Sequence, residues 1–157
     1  ALPLGYESHA ELLDFWMNEP VDLDLVKSAL DSALPSQLPV VNVSDVANKA
    51  PSLQSSLRAS EFLITFPDAL PPKSLRLKLE SLLAEPELLF ENRGKQKDLK
   101  TMVLEHEWIE HPSKLRLVMT ALPGKTGRPD DLVQMMGVDP LDCHYLRTRL
   151  IFEEAND

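Results

Sequence analysis

His106-Glu107-Trp108-Ile109-Glu110-His111 places two imidazoles and two carboxylates within six residues. A zinc protease helix carries its two histidines at i and i+4, so that both reach one metal from one face. Here the interval is five. On a strand an odd interval sends the two rings to opposite faces, and the spacing builds no metal site. Gly124-Lys125-Thr126 matches the end of a phosphate-binding loop, but the earlier glycine of that pattern would stand where Met119 is. Without a glycine-rich cradle no row of backbone amides faces a phosphate, and the segment reads as a turn before a helix near Pro129. Cys143-His144 offers a nucleophile beside a base, yet adjacent strand residues point to opposite faces and cannot activate each other. His9 lies between Glu7 and Glu11 with no third ligand in the sequence. These tests leave no catalytic residue, no metal site and no cofactor site, and the chain reads as non-enzymatic.

A basic cluster survives the same scrutiny. Arg93, Lys95, Lys97 and Lys100 fall within eight residues, opposed only by Asp98. Arg128, Arg147 and Arg149 lie in the same half, and a spacing of two puts Arg147 and Arg149 on one strand face. If the sheet gathers these seven cations, they form a phosphate-facing patch, with structured RNA as the substrate class. A polar hairpin solvated by its own charges accounts for the cluster equally directly. No aromatic residue interleaves with it, so base stacking is not indicated.

Hydrophobic periodicity supplies the elements that must position these groups. Residues 10–17 alternate as a strand, 22–34 as an amphipathic helix capped by Asp22, and 40–46 as a β-branched strand. Residues 60–66 read as a strand, 73–84 as a helix, 88–91 as a strand and 92–98 as a polar connection. Two further strands follow at 99–110 and 115–122, then a helix over 128–137 ended by Gly137 and a last strand over 145–153. Leu13, Phe15, Leu30, Phe62, Ile64, Leu79 and Leu117 are the expected core. The pattern predicts an α+β fold of ferredoxin-like split βαβ units. One unit is complete in the C-terminal half, residues 59–157, and carries an inserted hairpin. The other is incomplete in the N-terminal half, residues 1–58, which lacks an opening strand and helix.

The totals agree with a globular protein and narrow its setting. Hydrophobic residues make up 43% and charged residues 26% of the 157 positions, an ordinary globular balance. A net charge of −9 argues against nucleic-acid binding over the whole surface, though not against a local basic patch. One cysteine, Cys143, forms no internal disulfide, which suits a reducing, cytoplasmic compartment. No apolar run is long enough for a membrane span. The chain opens at Ala1 without an initiator methionine, as expected of a processed chain or a fragment. Apolar residues left uncovered by such a truncation would favour self-association, with Leu2, Leu4 and residues 10–17 the expected exposed set.

Several short motifs, in order, carry a family resemblance. Leu2-Pro3-Leu4-Gly5-Tyr6-Glu7-Ser8 and then Glu11 and Asp14 resemble a segment of the form LPLG-x-ES-x-x-E-x-x-D. Glu19-Pro20-Val21-Asp22, Lys49-Ala50-Pro51-Ser52-Leu53, Gly94-Lys95 with Asp98-Leu99, Arg128-Pro129-Asp130 and Arg147-Thr148-Arg149-Leu150 continue the match. The chain resembles the radical-SAM-linked domain, a bacterial family of unknown function found fused to, or encoded beside, a cobalamin-type radical SAM protein. The resemblance implies an accessory role to radical chemistry, with RNA modification as one setting and a radical SAM protein as partner. It brings no catalytic residue. It also implies a further N-terminal strand–helix–strand, with a basic helix and a His-rich turn, ahead of Leu2. Two readings follow: presentation of an anionic substrate such as RNA, or a protein-docking module with no nucleic-acid contact.

Overall fold

A computed structural model describes residues 2–92, 94–110 and 112–153, with the side chains of Asn92 and Lys95 left out. The fold is mixed α+β, with a multi-stranded sheet and four α-helices among the described residues. In chain order the elements are β1 (Tyr6–Ser8), α1 (Leu23–Ala33), α2 (Leu53–Ser56), β2 (Leu57–Thr65), α3 (Pro72–Ala84), β3 (Leu89–Asn92), β4 (Lys95–Asp98), β5 (Val103–Ile109), β6 (Lys114–Leu122), β7 (Lys125–Thr126), α4 (Pro129–Met135) and β8 (His144–Phe152).

The chain divides into two compact units, residues 13–53 and residues 1–12 with 54–157. A single boundary at 58/59 does not describe this division. Residues 1–12 belong with the C-terminal part because β1 pairs in parallel with β8, Tyr6 opposite Tyr145 and Ser8 opposite Arg147.

In the larger unit the sheet runs β1-β8-β2-β6-β5, with β7 paired to β6. All neighbours except β1 and β8 are antiparallel. Leu75 and Leu79, one helical turn apart on α3, and Leu132 and Val133 of α4 share one core with Ile64, Leu115, Leu117 and Met119 of the sheet. Pro72 opens α3 at a position that needs no amide donor. Gly137 closes α4 with φ 74°, a conformation that favours glycine, and its N–H donates to the Gln134 carbonyl. Phe62, Ile64, Leu79 and Leu117 are buried, so the strand at 57–65 is correctly phased by its alternation.

Other expectations are corrected. The connection at 92–98 contains β4, which pairs with β3 in a separate hairpin. The strand expected from Leu99 begins at Val103, after a 3-10 turn over Lys100–Met102. Asp98 sets that turn, accepting from the Lys100 and Leu88 amides at 3.0 and 2.9 Å.

The smaller unit departs further from expectation. Its helix is well made. Asp22 accepts from the Asp24 and Leu25 amides at 2.8 and 3.3 Å, and Lys27 pairs with Asp31 one turn on at 2.7 Å. None of the α1 residues is buried. The segments at 10–17 and 40–46 form no strand, because neither finds a ladder partner among the described residues. Leu13, Trp16 and Val41 stand 77%, 80% and 90% exposed, and Phe15 is also exposed, so Leu13 and Phe15 are not core. Leu30 is half-buried. Leu4 is fully exposed as expected, whereas Leu2 is half-buried.

An apolar stretch of this kind favours association. Light scattering is expected to show mass rising with protein concentration, and Leu13→Asp with Trp16→Asp to return the chain to monomer. A strictly monomeric parent chain at high concentration would refute this.

Candidate functional site

The candidate cations divide between two places. β3 and β4 form a hairpin that follows α3 and leads into β5. Lys97 lies opposite Phe90 in its ladder. The Lys100 ammonium donates to the Glu85 carbonyl. Arg93 and the Lys95 side chain, also expected here, lie outside the described residues. Arg147 and Arg149 stand on β8, three strand steps from β5, or about 14 Å across the sheet. Among the described residues, no strand pairing brings Lys97 and Lys100 beside Arg147 and Arg149.

A β-bulge also separates Arg147 from Arg149. Phe62 pairs with Arg147 and the preceding Glu61 with Arg149, so Thr148 is the extra residue. Arg147 therefore shares the helix-covered face with Phe62, and Arg149 the opposite face with Glu61. The expectation of one shared face fails because the spacing rule assumes an unbroken pleat.

Arg128, Arg147 and Arg149 each meet a carboxylate. The Arg128 Nε donates to Asp130 Oδ1 at 3.0 Å and its terminal nitrogen to Oδ2 at 2.5 Å. Arg147 donates through two nitrogens to Glu11 Oε1, the Nε bond measuring 2.9 Å. Arg149 approaches Glu61 at 3.3 Å, beside Arg116 at 2.7 Å. Burial works to raise the Glu61 carboxyl, but hydrogen bonds from Thr148 and Arg116, with the charges of Arg116 and Arg149, hold it below the usual carboxylate range. Arg116 further reaches Glu105 at 3.0 Å. The face of the sheet away from the helices is thus a charge-matched network.

The motifs tested for catalysis resolve into structure. The Gly124-Lys125-Thr126 segment is a tight β6–β7 hairpin, Leu122 opposite Lys125, with Gly124 at φ 74°. The Gly127 amide is spent on the Thr120 carbonyl at 2.9 Å rather than on a ligand. Burial pushes the Cys143 thiol up to about 11, so it is a thiol and not a nucleophilic thiolate at neutral pH. His144 instead meets Glu7 of β1 at 3.0 Å. His106 is exposed on β5, and His111 lies outside the described residues. Among the described residues no three His, Cys, Asp or Glu side chains are placed to share a metal ion. No helix among them is long and apolar enough to cross a membrane.

Residues 1–129 match the family described as "Uncharacterized protein conserved in bacteria (DUF2344)". The chain belongs to this family. No curated protein and no solved structure matches it. The family match spans β1 to the start of α4 and ends before β8, the strand that carries Arg147 and Arg149.

Within this family member, β1 is the meeting point of distant segments. Tyr6 stacks on Tyr145, centroids 4.6 Å apart and planes 7° from parallel, and stands edge-on to Phe62 at 6.0 Å. Its hydroxyl donates to Asp130 Oδ1 at 3.0 Å, tying β1 to the carboxylate that pairs with Arg128. The His9 amide donates to the Arg147 carbonyl at 2.9 Å and the Ala10 amide to the Ser8 hydroxyl at 3.1 Å. The sequence marks Glu11 only beside His9 and in a resemblance motif, never as an arginine partner, and it does not mark Glu61 at all. The two lie 136 and 88 residues from their arginines, and no local spacing announces such pairs. Asp130, two residues from Arg128, had a local signal.

Proposed function

We propose that the chain is a non-catalytic accessory domain of a radical SAM protein, and that it serves that protein by docking. The partner class comes from the family resemblance. The docking reading is carried by α1, a capped, ion-paired, amphipathic helix with no buried residue. Leu23, Val26, Leu30 and Ala33 recur at helical spacing, the pattern of a helix that lays one side into a groove of another protein. Residues 13–53 carry six acidic and two basic side chains, a balance that repels nucleic acid and suits a groove with a basic rim.

RNA presentation is the second reading, supported by Lys97, which has no ion-pair partner among the described residues. The sheet face away from the helices lends it less. Proteins that read RNA on an open sheet stack bases on aromatic side chains. Here Phe62, Tyr145 and Trp108 take the helix-covered side, and Arg116 and Arg149 are already paired. We further infer a ferredoxin-like unit, supported by the order β8-β2-β6-β5 with α3 and α4 in its two crossovers. A cytoplasmic setting is supported by the single thiol.

Co-purification with the radical SAM protein tests the docking reading. Val26→Asp with Leu30→Asp is expected to weaken the complex about 30-fold or more, the scale of a lost hot spot. Charge reversal of Lys95, Lys97 and Lys100 is expected to leave it intact. Loss of function only in the lysine variant, with RNA binding that falls steeply with salt, would favour RNA presentation instead. An unaffected complex in the helix variant would sink the docking reading.

A further inference from the structure

Arg147 is a buried cation with a replaceable partner. Its side chain is 9% exposed, whereas that of Glu11 is 48% exposed. Glu11 lies in coil beyond β1, a three-residue edge strand, and is the last residue but one before the division between the two units. The contact is also an incomplete use of the guanidinium. Two N–H donors converge on the single oxygen Oε1 of Glu11, where a guanidinium fork is best matched by two oxygens side by side. A phosphate group presents that geometry and carries more charge.

We propose that Arg147 is an oxyanion site of the phosphate class, which Glu11 fills in cis and which opens when the coil at residues 9–11 swings from β8 while β1 stays paired. The energetic logic is one of exchange. Withdrawing Glu11 strands a buried guanidinium, a strongly unfavourable state, so an incoming anion is held in its place. β1 itself stays anchored through Tyr6, and beyond it the coil that carries Glu11 is held by the His9 amide on the Arg147 carbonyl and the Ala10 amide on the Ser8 hydroxyl. The β1 ladder pairs Tyr6, Glu7 and Ser8 with β8, and the outward Glu7–His144 contact is solvent-exposed. Arg149 takes no part, since the bulge at Thr148 turns it to the other face. This site is independent of the docking reading, which rests on α1.

The test measures inorganic phosphate binding by calorimetry, with chloride at matched ionic strength as control. Glu11→Gln removes the competing charge and is expected to bind phosphate about tenfold more tightly than the parent chain. Adding Arg147→Gln to it is expected to abolish the gain. This double variant also keeps the proposal apart from a purely structural ion pair, since it removes both charges together. Competition by a short single-stranded RNA would assign the phosphate to a nucleic acid, and its failure to compete would assign it to a small phosphorylated ligand. No gain in Glu11→Gln, or a gain that persists in the double variant, overturns the proposal. Should Glu11→Gln fail to fold, the Arg147 Nε–H resonance of the parent protein is followed against phosphate. A saturable shift supports the site, and an unmoved resonance overturns it.

Discussion

Phe62→Ala is expected to lower the stability of the larger unit by about 3–5 kcal/mol, the range for removing a fully buried ring. Phe62 is 5% exposed and sits between Leu117 and Arg147 in the ladders on either side. Two losses combine. One is the transfer and cavity cost of the deleted ring. The other is its edge-on contact with Tyr6, worth about 0.5–1.5 kcal/mol where such pairs have been isolated. Tyr6 is also the anchor of β1, so the variant should loosen the edge strand before the sheet as a whole. Urea denaturation followed by circular dichroism measures the total, and hydrogen exchange at the His9 and Ala10 amides reads the edge. Leu13→Ala is the control. Its side chain is largely exposed, and the change should stay within about 0.5 kcal/mol. Equal costs for the two variants would contradict the burial assigned to Phe62.

That contrast also marks where the sequence is legible. Both residues sit in strand-like alternation. At 57–65 the alternation predicts real burial, because β6 and β8 pair on either side and α3 and α4 cover one face. At 10–17 and 40–46 it predicts strands that do not form. Period-two apolarity states which face a ladder would bury, and it carries no information about whether a partner strand is there. Helices fare better. α1, α3 and α4 emerge at nearly their expected limits because caps, prolines and Gly137 are local signals that need no distant partner. Only the first strand of the β3–β4 hairpin is marked in the sequence, for a related reason. The second strand, Lys95–Asp98, is wholly polar, so no apolar rhythm marks it.

The candidate site is less legible than the fold. A run of cations is visible in one dimension, but its electrostatic value depends on carboxylates that fold beside it. Arg147 and Arg149 read in the sequence as sharing one strand face. In the structure, Glu11 and Glu61 arrive from distant strands and coil, and the extra residue Thr148 splits the pair across the sheet. Only the resemblance motifs hint at the convergence. Glu11 from the first and Arg147 from the last meet as one ion pair.

The two tyrosines of the chain are expected to stay protonated in the folded protein well above about pH 10, the ordinary phenol range. Burial is the main cause for both, joined at Tyr6 by the charge and hydrogen bond of Asp130 and at Tyr145 by Cys143 and Asp130. A phenol is neutral when protonated. A folded pKa above the unfolded one therefore means that the unfolded chain releases protons in alkali that the folded chain retains. The resulting stability is fully present below about pH 10 and is lost as pH rises beyond it. Each fully shielded phenol contributes a loss of about 1.4 kcal/mol per pH unit, and discounting the half-buried Tyr6 leaves about 2 kcal/mol per unit for the pair. Phenolate absorbance should thus appear as one cooperative step that coincides with loss of the circular dichroism signal. Tyr6→Phe should halve the step, leaving Tyr145 as the sole reporter. Phenolate appearing with an ordinary midpoint while the dichroism signal is intact would mean that the rings are open to solvent, and that β1 is not seated on β8 in solution.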